Sequence, residues 1–237
     1  MKQLIAANWK QNGMPGWAAR SRELHGLVTS QNADILICPP HPLVGPMAQQ
    51  ARGTVVAVGA QDVSAHEAGA HTGETDATLL RELGATFAIV GHSERRADGE
   101  GDATVRSKAE RAIEAGLRPI VCVGESLAQR EAGEAGNTVR AQLDGSVPGQ
   151  GDYDIAYEPV WAIGTGQVAS VGDIADMHAA IREHVGDGPR ILYGGSVKPG
   201  NARDILATDH VGGALVGGAG LDMKSFAGII AHAQKQG

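Results

Sequence analysis

The chain has 237 residues, of which 42% are hydrophobic and only 3% aromatic, and its formal net charge at pH 7 is −7. This length and apolar fraction suffice for one large domain with a core built mostly from Ala, Val, Ile and Leu. The acidic balance and the absence of a basic run argue against nucleic-acid binding as a primary role.

The cysteine and hydropathy patterns indicate a reducing compartment. Cys38 and Cys122 both lie in apolar, strand-like runs, which fits two buried thiols better than a disulfide framework. No stretch approaches the ~20 apolar residues of a transmembrane helix. The chain enters a strand within its first five residues and lacks the layout of a signal peptide. We therefore expect a cytoplasmic protein without a membrane partner.

Short apolar runs recur along the chain and predict eight strands. They cover residues 4–7, 34–38, 55–59, 86–90, 119–123, 153–157, 190–193 and 211–216. Each is followed by a loop and a stretch with helical spacing, of which 103–115, 174–185 and 202–206 are examples. About 30 residues per unit is the size of a strand–helix–strand step.

The predicted strands lack polar alternation, which is typical of a parallel sheet covered on both faces. Eight such units predict a closed, parallel, eight-stranded (β/α)8 barrel. A doubly wound open sheet is the alternative, but it would usually have fewer strands and a Gly-rich turn after the first. No composition break divides the chain, so we expect a single domain over residues 1–237. One long insertion, residues 62–77, follows the third strand.

The segment after the sixth strand is the most informative about function. The strand ends at Tyr157 and delivers the carboxylate of Glu158, which is followed by Pro159 and then by Gly164-Thr165-Gly166. Proline fixes φ and glycine frees it, so the segment is expected to move as a stiff lid about two soft ends. A base at the root of a lid suits proton abstraction from carbon, because water must be excluded. Taken alone, the segment could also be an ordinary loop with a solvated glutamate.

Polar residues and glycines cluster where the predicted strands end. Active-site groups of such barrels come from the carboxyl ends of strands. These ends carry Asn8 and Lys10, residues 91–96, Glu158, Gly194–Ser196 and Val216–Ala219. Each feature alone is common in structural roles, but their joint placement indicates an active site.

Five segments resemble the hallmark segments of the triosephosphate isomerase family, in that family's order and across essentially the full chain. They are Asn8-Trp9-Lys10, Gly91-His92-Ser93-Glu94-Arg95-Arg96, the ten residues from Tyr157 to Gly166, Tyr193-Gly194-Gly195-Ser196-Val197 and Leu215-Val216-Gly217-Gly218-Ala219. The resemblance implies a TIM barrel that interconverts dihydroxyacetone phosphate and D-glyceraldehyde 3-phosphate through an enediolate, in glycolysis and gluconeogenesis. It implies no cofactor and no metal ion.

The resemblance also implies catalytic roles. Glu158 would be the base, and His92 would polarise the carbonyl as a neutral imidazole, the pairing established for this family. Lys10 would supply a fixed positive charge and Asn8 a hydrogen bond to the substrate oxygen. Glu94 would pair with Lys10.

Further positions follow from the same resemblance. Backbone N–H groups would hold the substrate phosphate at Gly164, Ser196, Gly217 and Gly218. A hydrogen bond from Trp161 to Glu125 would set the position of the lid. Ile163 and Leu215 would pack over the base and exclude water from it.

The insertion at residues 62–77 resembles the family's interdigitating loop. Thr72 would reach into a neighbouring subunit, which implies a homodimer whose subunits brace each other's sites.

Three positions depart from the family's usual pattern. Gln11 and His41 replace residues that are usually apolar and aromatic, and Gly220 could loosen a helix start beside the phosphate.

Two other functions remain open from the residues alone. A barrel that binds sugar phosphates without turnover would have lost Glu158, Lys10 or His92, and none is missing. A different phosphate-binding barrel enzyme, such as an aldolase, is the other alternative. A Schiff-base aldolase would need a lysine within a strand core, and no predicted strand core contains one.

Overall fold

The computed structural model of the chain describes residues 1–29, 32–163 and 168–234. Within these ranges eight parallel strands form one closed barrel in sequence order. The strands are β1 (Gln3–Asn8), β2 (Ala33–Cys38), β3 (Val56–Ala60), β4 (Phe87–Val90), β5 (Arg118–Val123), β6 (Asp154–Tyr157), β7 (Ile191–Tyr193) and β8 (Gly213–Val216).

Helices connect consecutive strands and surround the barrel. They are α1 (Arg20–Leu27), α2 (His41–Ala51), α3 (Ala77–Glu82), α4 (Ser93–Ala97), α5 (Asp102–Glu114), α6 (Leu127–Glu131), α7 (Ala135–Ser146), α8 (Val171–Val185), α9 (Pro199–Leu206) and α10 (Met223–Ile230). Short 3-10 turns lie at Pro15–Ala19, Val160–Ala162 and Gly218–Gly220.

The predicted barrel is confirmed, and the open-sheet alternative is excluded by the pairing of the first and last strands. Leu4 to Ala7 of β1 pair in parallel with Gly213 to Val216 of β8. The same strand pairs with β2 on its other side, so the sheet has no edge at β1. Every predicted strand is present, with ends shifted by no more than a few residues.

The interior of the barrel is filled by one side chain in two along each strand. Leu4 and Ala6 of β1 and Ala156 of β6 belong to this inner cluster, together with Leu36, Cys38, Ile89, Ile120, Cys122, Leu192 and Leu215. Because side chains alternate along a strand, the next inward positions after Ala6 and Ala156 are Asn8 and Glu158. The strand period therefore carries these two polar groups to the carboxyl end of the barrel axis.

A second, larger apolar cluster lies between the strands and the surrounding helices. Helix α10 illustrates its origin, because Met223, Phe226, Ile229 and Ile230 recur at helical spacing and are all buried. Burial of one such side chain contributes about 1.5–3 kcal/mol. Truncation of Phe226 to alanine would cost about 3–5 kcal/mol, since a cavity would remain.

A buried charge cluster closes the amino-terminal end of the barrel. Asp154, at the start of β6, is 0% exposed. Arg118 donates to its two oxygens at 2.9 Å each, and Arg190 donates to them at 3.1 and 2.8 Å. Burial raises the pKa of Asp154, but the two guanidinium groups lower it more, so the net pKa lies below the usual range. The carboxylate is thus charged and fully paired.

The insertion at residues 62–77 projects from the barrel after β3. Its base is closed by a hydrogen bond from Ser64 N–H to the Thr75 carbonyl at 2.9 Å. Residues 66–74 are all exposed. His41 contacts the base of this loop through Nδ1, 3.0 Å from the Thr75 hydroxyl. The departure at position 41 therefore provides an anchor for the loop.

Two further sequence expectations can be compared with the structure. Cys38 and Cys122 are both free and buried, as expected. Among the helices that the structure describes, none combines the length and apolar character needed to cross a membrane.

Candidate active site

A cavity of about 310 Å³ opens at the carboxyl end of the barrel. Its walls include every predicted site residue within the described ranges: Asn8, Lys10, His92, Glu158, Ser196, Gly217 and Gly218. Gly164, the remaining predicted phosphate ligand, lies outside the described residues. The fold therefore brings together the predicted site residues from β1 to the turn after β8.

Glu158 is held firmly at the bottom of this cavity. It is 2% exposed, and its Oε2 accepts a hydrogen bond from Ser93 N–H at 2.8 Å. Two glycines make room for it. A Cβ at Gly124 would lie 1.7 Å from the Glu158 carbonyl oxygen, and one at Gly194 would lie 2.8 Å from Glu158 Cγ. Both positions therefore require glycine.

His92 precedes helix α4 and contacts the glutamate. Its Nε2 lies 3.0 Å from Glu158 Oε1. Its Nδ1 accepts a hydrogen bond of 3.2 Å from the Glu94 N–H, so the ring caps the helix. An imidazolium has no acceptor nitrogen, and this bond therefore assigns the proton of a neutral ring to Nε2.

Electrostatics couples the two groups. Burial lowers the pKa of His92, but the Glu158 carboxylate raises it more, so the net pKa lies above the ordinary value. Burial raises the pKa of Glu158, but His92 and the Ser93 N–H lower it more, so this carboxyl group is ionised at neutral pH. The raised pKa and the hydrogen bond to Nδ1 act in opposite directions on the His92 charge. The contact at Nδ1 favours the neutral ring, because a proton on Nδ1 would face the Glu94 N–H.

Lys10 has a left-handed backbone conformation, with φ of 50°. For a residue other than glycine this conformation costs about 1–2 kcal/mol. Three contacts hold it: Lys10 N–H donates to Asn8 Oδ1 at 3.0 Å, Gln61 Nε2 donates to the Lys10 carbonyl at 2.9 Å, and Lys10 Nζ lies 2.6 Å from Glu94 Oε1. The last contact confirms the expected pairing of Lys10 with Glu94.

The opposite wall of the cavity is made of backbone with small side chains. Gly217 precedes the 3-10 turn Gly218–Gly220, and Ser196 follows β7. A Cβ at Gly218 would meet nothing within 4 Å, whereas one at Gly220 would lie 2.7 Å from the Ala7 Cβ. Glycine at position 220 therefore lets this turn pack closely on β1.

The contacts of the chain after Glu158 agree with the resemblance where they are described. Trp161 Nε1 donates to Glu125 Oε1 at 2.8 Å, as expected. Ile163 and Leu215 both line the cavity that holds the glutamate, which fits their expected role in excluding water.

A larger cavity, of about 630 Å³, lies on the other side of Lys10 and His92. It is lined by Gln11, His41 and the base of the insertion, and Glu158 does not contribute to it. The smaller cavity is the candidate active site, because only it joins the carboxylate, the imidazole and the ammonium group.

One group of possible metal ligands occurs among the described residues, on the exposed insertion: His66, His71 and Glu74. The two imidazole rings are stacked, 4.0 Å apart and within 4° of parallel. Lone pairs of stacked rings point in parallel directions and do not converge on one ion. The rings would have to fan apart before they could share a metal.

Some residues of the site were missed by the sequence reasoning. Ser93 holds Glu158 through its backbone, and Gln61 fixes the backbone of Lys10. Gln61 could have been noticed as a polar residue two positions after the third predicted strand. No pattern in the sequence indicates that the Ser93 N–H points at the carboxylate.

Together these features define the class of protein: a (β/α)8-barrel enzyme whose cavity suits proton transfer on a small anionic substrate. Residues 3–233 match the family model described as Triosephosphate isomerase. The triosephosphate isomerase of Acidiphilium cryptum is 52% identical over 99% of this chain and 100% of its own length. That of Bradyrhizobium diazoefficiens is 50% identical over 97% of this chain and 96% of its own.

A solved structure agrees with these relatives. The crystal structure of triosephosphate isomerase from Bartonella henselae matches with a TM-score of 0.90 and 37% identity, over 98% of this chain and 99% of that chain. The chain belongs to the triosephosphate isomerase family. It is an isomerase that interconverts dihydroxyacetone phosphate and D-glyceraldehyde 3-phosphate, with the place in glycolysis and gluconeogenesis that this reaction has.

Proposed function

We propose that Glu158 is the base of this isomerisation, taking a proton from C1 of dihydroxyacetone phosphate and returning it at C2. The observation that carries this proposal is its burial at 2% exposure with a lowered pKa, in direct contact with His92. An ionised carboxylate can accept a proton at neutral pH, and its burial keeps water away from the reacting carbon.

His92 polarises the substrate carbonyl and passes a proton between the two oxygens of the enediolate. A donor at Nε2 is required for this role, and the hydrogen bond from Glu94 N–H to Nδ1 favours that tautomer. In the structure Nε2 lies 3.0 Å from Glu158 Oε1, within reach of a hydrogen bond to the carboxylate. Bound substrate would take over this donor, and the carboxylate would then be free to face carbon.

Lys10 and Asn8 act on the developing negative charge. The ammonium group supplies a fixed positive charge near the enediolate oxygen and the phosphate, and it is prepositioned by Glu94. Asn8 holds the lysine backbone and offers its amide to the substrate. The phosphate is held by backbone N–H groups at Ser196, Gly217 and Gly218, and Gly164 completes this set as a proposal from the resemblance.

The two alternative functions are separated from this one by a single experiment. In a coupled assay with D-glyceraldehyde 3-phosphate, the isomerase forms dihydroxyacetone phosphate without any second carbon substrate. A barrel that only binds sugar phosphates would give no turnover. An aldolase would need a second, enolisable carbonyl compound as donor or would cleave a larger sugar phosphate.

We also propose a homodimer formed through residues 62–77, with Thr72 reaching into the partner subunit. Residues 66–74 of the loop are exposed, and a cavity of about 630 Å³ beside Lys10 and His92 is large enough to accept a loop. A two-fold axis would place each loop in the other subunit's cavity. Sedimentation of the purified protein tests this directly.

The remaining proposals concern location and organisation. We propose a cytoplasmic protein, because its two cysteines are unpaired thiols and its reaction belongs to glycolysis. We propose that residues 1–237 form a single domain, because β1 and β8 come from opposite ends of the chain and pair with each other. A single cooperative unfolding transition would support this organisation.

A further inference from the structure

Arg130, on helix α6, contacts one residue shortly after Glu158 and another at the start of α8. Its guanidinium carbon lies 5.0 Å from the centroid of the Trp161 ring, close enough for a cation–π contact. Its Nη2 forms an ion pair with Asp173, in the first turn of α8. One side chain therefore connects the chain just after Glu158 with the start of the following helix.

The same arginine neutralises a carboxylate that holds the chain around the base. Glu125 is 0% exposed, and its Oε1 accepts from Arg130 Nη1 at 3.2 Å and from Tyr157 Oη at 3.1 Å. Its backbone carbonyl accepts the Val160 N–H at 3.1 Å. Tyr157 and Val160 lie on either side of Glu158, so Glu125 fixes the backbone that carries the base.

A buried carboxylate needs a cation to remain charged in place. Arg130 is the cation that contacts Glu125. If the arginine is removed, the buried Glu125 carboxylate loses this cation, and we expect it to shift toward solvent. Such a shift weakens the hydrogen bond of 2.8 Å that Glu125 accepts from Trp161.

The two carboxylate oxygens of Asp173 contact different partners, Ser170 and Arg130. Oδ2 accepts from Ser170 N–H at 3.1 Å and from Ser170 Oγ at 2.7 Å, which completes a capping box at the start of α8. Oδ1 faces Arg130. An asparagine at this position can keep the cap and lose the ion pair.

We propose that Arg130 is a positioning residue for Glu158: through Glu125 and Trp161 it fixes residues 157–163 against the start of α8. This placement keeps Ile163 over the base and water away from the enediolate. The inference rests on the role proposed above for Glu158. Arg130 itself touches no reacting atom.

The consequence can be measured as leakage of the intermediate. An enediolate that is reached by water expels its phosphate: the C–O bond breaks, the electron pair of the enediolate forms the new C=C bond, and the proton taken from carbon ends on inorganic phosphate. The organic product is the enol of methylglyoxal. The ratio of phosphate released to isomerisation turnovers is independent of how much protein is folded.

The experiment compares Arg130→Gln with wild type and with Arg182→Gln. Arg182 lies on α8 and bonds to the Gly186 carbonyl at the far end of that helix. We expect Arg130→Gln to lower kcat about 10-fold with a smaller change in KM, because a displaced base affects mainly the transition state. We expect its leakage ratio to rise roughly 5-fold. Arg182→Gln should match wild type in both.

Two further variants sharpen the result. Arg130→Lys keeps the charge but cannot contact Glu125 and Asp173 through two separate nitrogens. Its leakage ratio should therefore fall between those of wild type and Arg130→Gln. Asp173→Asn should raise the ratio in wild type but add little in Arg130→Gln, because both changes break one contact. An unchanged ratio and kcat in Arg130→Gln, with active wild type, overturns the inference alone. Full turnover by Glu158→Gln would overturn it together with the assignment of the base.

Discussion

The Nε2 atom of His92 and the Oε1 atom of Glu158 lie 3.0 Å apart, so the proposed electrophile and base contact each other. They come from the ends of β4 and β6, which are separated in the barrel by β5. The Ser93 N–H holds the second oxygen of the carboxylate. The loop after β4 therefore supplies one catalytic group and also positions the other.

Replacement of Glu158 by glutamine should remove the base while keeping the shape of the side chain. The amide oxygen can still accept from the Ser93 N–H, so the local fold should be retained. We expect kcat to fall by about 10²–10⁴-fold, the usual contribution of a general base, with little change in KM. The coupled assay measures both constants, and an unchanged kcat would refute the role.

His92→Asn should separate the catalytic role of the imidazole from its capping role. Asparagine is a favourable residue at a helix N-cap, so α4 should keep its start. The donor at Nε2 is lost, and we expect kcat to fall by roughly 10²-fold or more. Circular dichroism checks that the fold is retained. Near-normal turnover by a folded variant would exclude His92 as the electrophile.

The charge cluster around Asp154 predicts a dependence of stability on pH. Its pKa is lower in the folded protein than the value of about 3.9 of an unperturbed aspartate. Folding therefore favours the ionised form, and the stabilisation is present above the unfolded-state pKa. It is lost as the pH falls through the lower folded-state pKa. Asp154→Asn should lower the free energy of unfolding by about 3 kcal/mol at pH 7, because Arg118 and the buried Arg190 lose the buried carboxylate that both of them contact.

Urea unfolding at neutral and acidic pH measures this effect. The difference in free energy of unfolding between wild type and Asp154→Asn should become smaller in acid, where the wild-type carboxylate is also protonated. Asp152→Asn is a matched control: Asp152 faces the same Arg118 at 3.5 Å, but its side chain is 91% exposed. This control should unfold like wild type, since exposed ion pairs contribute little. A gap that is constant with pH would contradict the linkage.

Deletion of residues 69–75 should give a monomer with much reduced turnover. Residues 69–74 are exposed and Thr75 lies at the base of the loop, but none of them belongs to a barrel strand, so the barrel itself should still fold. In the proposed dimer they brace the partner's Lys10 and Asn8, and this support would be lost. Sedimentation gives the mass and the coupled assay gives the rate. An active dimer after the deletion would contradict the proposed interface.

Chelation should leave activity unchanged. The base, the electrophile and the stabilising charge are all side chains of this chain, so the proposed steps require no metal. Assay in the presence of EDTA, after prolonged dialysis against it, should give the kcat of untreated enzyme. Loss of activity that is restored by a divalent ion would show that a required component has been overlooked.

The fold was predictable because its periodic signal is strong. Eight apolar runs at even spacing indicate parallel strands, and alternation within β1 and β6 places Asn8 and Glu158 on the inner face. The pairing of His92 with Glu158 was reached through the resemblance, because no local pattern joins residues so far apart in sequence.

Other features depend on tertiary contacts that a sequence does not encode locally. The left-handed Lys10 carries no glycine or asparagine signal, and it is held by Gln61, which follows β3, and by Glu94 of α4. The bidentate pairing of Asp154 with Arg118 and Arg190 likewise forms only when three strand starts meet. Such residues appear in the sequence as ordinary charges.

The unusual backbone of Lys10 also has a consequence for how the protein regains activity after denaturation. Its support comes from β1, from the residue after β3 and from the turn after β4, so no fragment shorter than the first half of the barrel can hold it. Helical signal in a refolding experiment should thus return before catalysis does. The delay between the return of helical signal and the return of activity would measure how long these parts of the barrel take to associate.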